Sequence, residues 1–217
     1  EAGRCIKKLV QRPVVVYAGK IIMSLVSNLF LLFVAASVLV YYIVPHKWQW
    51  LALLVFSYIY YIAGGLRFVV FILFSTIVTW LAALMIEKVE TKGNHKAARN
   101  ILILGLILNF GMLGVVKYTN FAIENLNALF HMNLRGMAIL LPLGISFYTF
   151  QSSGYLLDVY WKRCEAEKHP LKYALFVSFF PQILQGPIGR YSRLANQLYA
   201  PHKFEGKNIA RGFERIL

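Results

Sequence analysis

The sequence predicts an all-α fold: a polytopic membrane protein of about five spanning helices, with a re-entrant half-helix and interfacial amphipathic helices. Three observations predict it. Of 217 residues, 59% are hydrophobic and only 15% charged, with a mean hydropathy of +0.58, too apolar for a water-soluble domain of this length. The apolar residues come in runs, and residues 21–44, 48–64, 68–86 and 101–116 contain no Asp, Glu, Lys, Arg or His. The Lys and Arg responsible for the net charge of +14 fall outside these runs, as loop charges that orient a membrane protein do, rather than along one face as in a nucleic-acid binder. The expected partner is therefore a lipid bilayer and not a nucleic acid.

In chain order, residues 1–20 form a basic N-terminal tail with Arg4, Lys7, Lys8, Arg12 and Lys20, ahead of a membrane domain over 21–217. Residues 21–44 are long enough to span, since about 20 residues at 1.5 Å each cross the hydrocarbon layer. Tyr41, Tyr42, Trp48 and Trp50 bracket a turn at 45–47, as aromatics do at a membrane interface. Residues 48–64 and 68–86 are the second and third spans, joined at 65–67. Residues 87–100 read as a polar loop. Residues 101–116 form a short fourth span, in which Gly105, Gly111 and Gly114 permit close helix approach and Asn109 is the strong polar group. Residues 121–130 read as an amphipathic surface helix, and 137–160 as a fifth span with Pro142 near its start. After Arg190, Arg193, Lys203, Lys207, Arg211 and Arg215 alternate with apolar residues, the pattern of interfacial helices on anionic lipid. The helical pattern still runs at Leu217, which reads as an N-terminal portion of something longer.

Residues 141–190 are the most informative. Tyr148, Gln151, Tyr155 and Asp158 recur at offsets of 3, 4 and 3, so one helix carries a polar stripe. Residues 172–180 are then too few to span, and Pro181, Gly186, Pro187 and Gly189 break the helix. A broken half-helix carrying Gln182 and Gln185 must, at membrane depth, be buried in protein or line a wet cavity. Packing of one helix on another through polar side chains is the alternative use of the stripe.

The strings LPLGISFYTFQ, YLLDVYW and SFFPQILQGPIGR, in this order, resemble the signature of the membrane-bound O-acyltransferase family, on the branch of alginate and other cell-surface polysaccharide O-acetyltransferases and of teichoic-acid D-alanyl transfer. LGVVKYTNF and YYIVPHKWQWLALLVFSYIYY resemble further stretches of that family. The resemblance implies a multi-pass protein of the bacterial inner membrane. It implies transfer of an acyl group, acetyl above all, from a cytoplasmic thioester donor to hydroxyls of an extracytoplasmic polysaccharide, with a cell-surface glycan or a companion extracytoplasmic acyltransferase as partner. The donor, acetyl-CoA or an acyl-carrier protein, is a co-substrate, and no bound cofactor or metal is expected. The resemblance also places the N-terminus outside. The positive-inside rule agrees for the loops after the first, third and fifth spans, which hold Lys47, then Lys88 to Arg99, then Lys162 to Lys172; the basic tail disagrees.

A histidine near its ordinary pKa suits the general base of such a transfer. The family's histidine lies downstream of these motifs, and His46, His95, His131, His169 and His202 all fall in loops or interfacial stretches. No catalytic residue is expected in this chain. The candidate tunnel or cavity wall is Tyr148, Gln151, Asp158, Gln182, Gln185 and Arg190, with Pro181, Gly186 and Pro187 shaping the re-entrant turn. The alternative for Asp158 is a place at the cytoplasmic rim, offsetting Lys162 one helical turn on, and Arg190 is expected to meet a phosphate or carboxylate on the donor or a lipid headgroup. Cys5 and Cys164 have neither metal-ligand nor disulfide spacing and read as free thiols. Two other classes stand beside the enzyme. A membrane transporter also uses broken helices but normally carries an ionisable residue at depth, and a catalytically silent scaffold would dock a partner acyltransferase through its basic loops.

Overall fold

A computed structural model describes residues 28–130, 142, 144–185, 189–202 and 206. Among them the elements are all helical. They are α1 (Asn28–Ile43), a 3-10 turn (His46–Trp48), α2 (Gln49–Gly64), α3 (Leu66–Glu90), α4 (His95–Phe130), α5 (Ile145–Tyr160), α6 (Pro170–Ser178), α7 (Phe180–Gln185) and α8 (Tyr191–Tyr199).

Two helices, Leu66–Glu90 and the part of α4 from His95 to Thr119, are long and apolar enough to cross a membrane. Each of α1, α2 and α5 has 16 residues, about 24 Å at 1.5 Å per residue. The chain turns between α2 and α3 at Gly65, whose φ of +142° and closeness to the Phe68 ring suit a residue with no side chain.

Three boundaries differ from the sequence reading. The charged stretch 87–100 is mostly helix: α3 runs to Glu90, a tight turn with Gly93 in the left-handed region follows, and α4 begins at His95. Charge marked the end of the apolar layer, not the end of the helix. Secondly, α4 is a single helix of 36 residues, about 54 Å, so 101–116 and 121–130 are parts of one rod and the Lys-Tyr-Thr-Asn sequence lies within it. Thirdly, α5 starts at Ile145 rather than near 137, because Gly144 at its N-cap is left-handed (φ +68°) and interrupts any helix coming from Pro142. Residues 1–27, 131–141 and most of 203–217, with the basic tail and the last expected interfacial helix, lie outside the described residues.

Helix α3 is the hub, packing on α2, α4, α5 and α6, while α1 packs on α2. Gly105 of α4 is the close approach: a Cβ there would lie 3.1 Å from Leu156 of α5 and 3.4 Å from Ala82 of α3. Gly111 and Gly114, expected to act likewise, meet nothing within 4 Å. The buried faces of α3 and α4 are polar in places. Ser75 Oγ donates to Asn109 Oδ1 (2.6 Å), and Asn109 Nδ2 donates to Thr79 Oγ1 (3.1 Å) and Gly105 O (3.0 Å). The outward faces are the reverse: Leu32, Val70, Ile107 and Val115 are all exposed.

Candidate functional site

Helix α5 carries the site through the bundle. Tyr148, Gln151 and Tyr155, predicted as one stripe, are each at most 2% exposed. Thr149, Ser152 and Ser153 are buried with them, so the polar belt is wider than the stripe and only Phe150 in this run faces out. The sequence reading passed over these small hydroxyls, and over Ser75 and Thr79, though spacings of 3 and 4 in an apolar run mark them. Asp158 sits at the end of the stripe, partly buried. Its carboxylate faces Arg163 at 3.6 Å rather than Lys162. The reason is the helix end: Lys162 is left-handed (φ +57°), and the Lys162 and Arg163 N–H groups turn back to the Val159 and Asp158 carbonyls, which carries Arg163 onto the acid.

The segment after α5 turns back on itself. It starts at Pro170, at the first turn of α6, where a proline fits without loss. The helix is interrupted at Phe179, which is extended (ψ 106°), and resumes as α7. Pro181 explains the interruption: it has no N–H to give the Val177 carbonyl, and its ring would press on that carbonyl in a continuous helix. Pro181 therefore acts one step earlier than the expected break and is itself inside α7, exposed. Deep in the fold, the Phe180 N–H meets Ser57 Oγ of α2 (3.3 Å). The chain then returns to where it entered. Glu167, just before α6, and Tyr191, at the start of α8, are joined by a 2.7 Å hydrogen bond from the Tyr191 hydroxyl.

The hairpin brings two of the predicted glutamines together. Gln151 Nε2 donates to the Phe176 carbonyl (3.2 Å) and faces Gln182 Oε1 (3.4 Å). Gln151 Oε1, fully buried, has no hydrogen-bond partner, nor do the hydroxyls of Thr149, Ser153 and Ser178. These are the groups a polar ligand or water would satisfy. Two glycines set the fit. A Cβ on Gly144 would fall 2.4 Å from Ile183 of α7, and one on Gly189 would fall 2.6 Å from the Gln182 amide nitrogen. Tyr148 adjoins Tyr61 of α2, extending the belt across the bundle. The Gln185 side chain, Gly186 and Pro187 lie outside the described residues. Arg190 is exposed at the N-cap of α8, one residue after the Gly189 that lies against the Gln182 amide.

The end where the hairpin enters and leaves is knit by Glu167, which sequence alone did not single out. Besides Tyr191, its carboxylate accepts the His169 N–H (2.9 Å); its own N–H donates to Tyr155 Oη (2.8 Å), and its carbonyl accepts the Trp80 indole (2.8 Å). Nearby, the Ala166 N–H donates to Glu87 (3.1 Å), Tyr199 Oη donates to the Lys172 carbonyl (2.7 Å), and the Gln49 amide exchanges two 3.0 Å bonds with the His202 backbone. The loops after α1, α3 and α5, with their lysines and arginines, therefore share one end of the bundle. Burial, with Asp158 and Glu87 nearby, pushes the Cys164 thiol up to about 11, so it is protonated at neutral pH. Burial likewise raises the Tyr191 phenol. Among the described residues, no cluster of His, Cys, Asp and Glu could hold a metal ion.

Over 178 residues, 79% of its length, the chain is 34% identical to the probable alginate O-acetylase AlgI of Pseudomonas aeruginosa, covering 34% of that protein. It is 33% identical to the Azotobacter vinelandii protein of the same name, covering 35% of it. Over 194 residues, 77% of the chain, it is 30% identical to the peptidoglycan O-acetyltransferase of Helicobacter pylori, covering 36%. The chain thus spans about a third of the length of the curated relatives it matches. No family model and no solved structure matches it.

Proposed function

Because this chain belongs to the membrane-bound O-acyltransferases, among relatives that are polysaccharide O-acetyltransferases, we propose that it forms the part of such an enzyme that walls the acyl-transfer chamber. The chamber wall is the polar belt of α5 with Gln182 of the hairpin. The observation that carries this reading is the Gln151–Gln182 contact, which sets Gln182 of the hairpin against a buried α5 amide whose side-chain oxygen has no hydrogen-bond partner.

The chemistry sets the division of labour. Acyl transfer from a thioester to a hydroxyl forms an oxyanion at the carbonyl and releases a thiolate, so the site needs a base for the acceptor hydroxyl and N–H or O–H donors for the oxygen. The Tyr148 hydroxyl is such a donor, sheltered from water where each contact is strengthened, and the Gln151 amide, with its N–H groups on the Phe176 carbonyl and Gln182 Oε1, holds the hairpin in place beside it. Among the described residues, the belt itself carries no histidine to serve as that base.

The same reading makes the protein multi-pass in the bacterial inner membrane. An outside of Leu and Val over an inside of Ser, Thr, Asn and Gln is the arrangement lipid favours. The loops gathered at the Glu167 end, being basic, face the cytoplasm and the thioester donor, and the opposite end faces the polysaccharide. The transporter reading gains nothing from the buried belt, which carries no Lys, Arg or His. The test is the full-length protein with leucine at both Gln151 and Gln182. Acyl transfer to polysaccharide is expected to be lost while the protein still inserts; full transfer would remove the hairpin from the site.

A further inference from the structure

The hairpin is closed at its neck by one side chain. Glu167 stands just before α6 and Tyr191 opens α8, and the 2.7 Å bond from the Tyr191 hydroxyl to Glu167 Oε2 joins entry to exit across 24 residues. We propose that Glu167 is a positioning residue: through this clasp it sets how deep the hairpin tip reaches, and so holds Gln182 against Gln151. The inference deepens the acyltransferase reading above and rests on it for its effect on catalysis.

A carboxylate suits a clasp because it accepts two donors at once. Oε1 takes the His169 N–H (2.9 Å) while Oε2 takes the Tyr191 hydroxyl, and hydrogen bonds to an ionised acceptor are about twice as strong as neutral ones. The residue is half-buried, where a lower dielectric strengthens such bonds further. Its backbone is pinned as well. The N–H donates to Tyr155 Oη of α5 and the carbonyl accepts the Trp80 indole of α3, each at 2.8 Å. Glu167 is thereby fixed to two helices of the bundle, and whatever it holds is fixed to them in turn.

From the neck, the path to the tip runs through rings. Buried Tyr191 packs on Tyr155 (4.7 Å) and edge-on against Phe176 of α6 (4.9 Å). The Phe176 carbonyl accepts the Gln151 amide, whose other contact is Gln182 Oε1. Tyr155, under the same rings, lies one helical turn after Gln151 on α5. Releasing Tyr191 from Glu167 therefore loosens the packing on the carbonyl that anchors Gln151. At 3.4 Å the contact between the two glutamines is already long for a hydrogen bond, so a small slide of α6 along the bundle breaks it.

The experiment is the rate of cross-linking between Gln151→Cys and Gln182→Cys by a short bis-thiosulfonate, in the full-length protein in native membranes without Cys5 and Cys164. Acyl transfer is measured separately, with both glutamines intact. Glu167→Ala, and Tyr191→Phe, which keeps the ring, are each expected to slow the cross-link at least tenfold, and the double variant no further than Glu167→Ala alone. Glu167→Gln keeps an acceptor for the His169 N–H and an N–H for the Tyr191 oxygen, so both readouts are expected to recover to within about threefold of the parent. Leu113→Ala, which opens a cavity in α4 and lowers stability, is expected to leave the cross-linking rate unchanged. Unchanged cross-linking in both Glu167→Ala and Tyr191→Phe, a Glu167→Gln as slow as Glu167→Ala, or equal slowing in Leu113→Ala overturns the proposal. Tyr191→Phe carries the test if Glu167→Ala fails to insert. Cross-linking requires no turnover, so slowed cross-linking beside unchanged acyl transfer keeps the clasp and sinks the chamber reading alone.

Discussion

Gln182, on a six-residue helix, presents its side-chain oxygen to the Gln151 amide of α5 at 3.4 Å, and its own amide nitrogen lies against Gly189 where the chain turns out again. A contact between residues 31 apart in sequence thus depends on a glycine seven residues further on. Gly189→Ala would place a methyl 2.6 Å from the Gln182 amide, and that flexible end must swing away. Acyl transfer by the full-length protein is expected to fall about 10- to 100-fold, the scale of a 1 Å misplacement, with membrane insertion unchanged. Transfer at the wild-type rate would show that the glutamine contact is idle.

Gly144 fixes the other side of the hairpin. With φ at +68° and Ile183 2.4 Å from any Cβ, Gly144→Ala should cost about 1–3 kcal/mol in unfolding from detergent. Adding Ile183→Ala removes the clashing methyl. The double variant should then lose less than the sum of the single variants, by about 0.5–3 kcal/mol of coupling. Strict additivity would mean that Gly144 and Ile183 do not touch.

Asn109 is held by Ser75, Thr79 and the Gly105 carbonyl, all buried. Asn109→Leu strands the Ser75 hydroxyl, at a cost of about 1–3 kcal/mol, and pairing it with Ser75→Ala should recover part of that. Thermal unfolding of the two variants checks it: a double variant no more stable than Asn109→Leu would leave the network without energetic weight.

Much of this was legible in sequence, and the failures share a cause. Tyr148, Gln151 and Tyr155 stood out because large polar groups at a helical period are conspicuous against apolar neighbours, and the structure buries all three. Ser75, Thr79, Ser152 and Ser153 did not stand out, because a hydroxyl hardly changes hydropathy. Charges at 87–100 and at Lys117 were read as breaks, yet Lys, Glu and Arg are good helix formers, and both α3 and α4 run through them. The true stops were conformational: Gly144 and Lys162 in the left-handed region, and a proline acting on the turn before itself. Glu167 gave no signal, because its partners lie from 2 to 87 residues away.

The Cys164 thiol offers a test of burial at the basic end. Its folded pKa, raised from 9.0 to about 11, keeps the reactive thiolate scarce until the pH nears 11. In a Cys5→Ser background, maleimide labelling at pH 8 is expected to run about 100-fold slower than for a free thiol, rising about tenfold per pH unit toward pH 10. Labelling at the free-thiol rate would place Cys164 in open water.

The central claim is that the hairpin tip meets α5 and that this meeting matters to acyl transfer. A reversible thiol cross-link measures both at once, using a short bis-thiosulfonate between Gln151→Cys and Gln182→Cys in the full-length protein in native membranes, in a background without Cys5 and Cys164. The account predicts efficient cross-linking in that pair, none when either cysteine is moved to exposed Phe150 or Arg193, and acyl transfer by the cross-linked form no higher than by its reduced form. Failure of the pair to cross-link, or acyl transfer at the wild-type rate with both glutamines replaced and tethered, would contradict it.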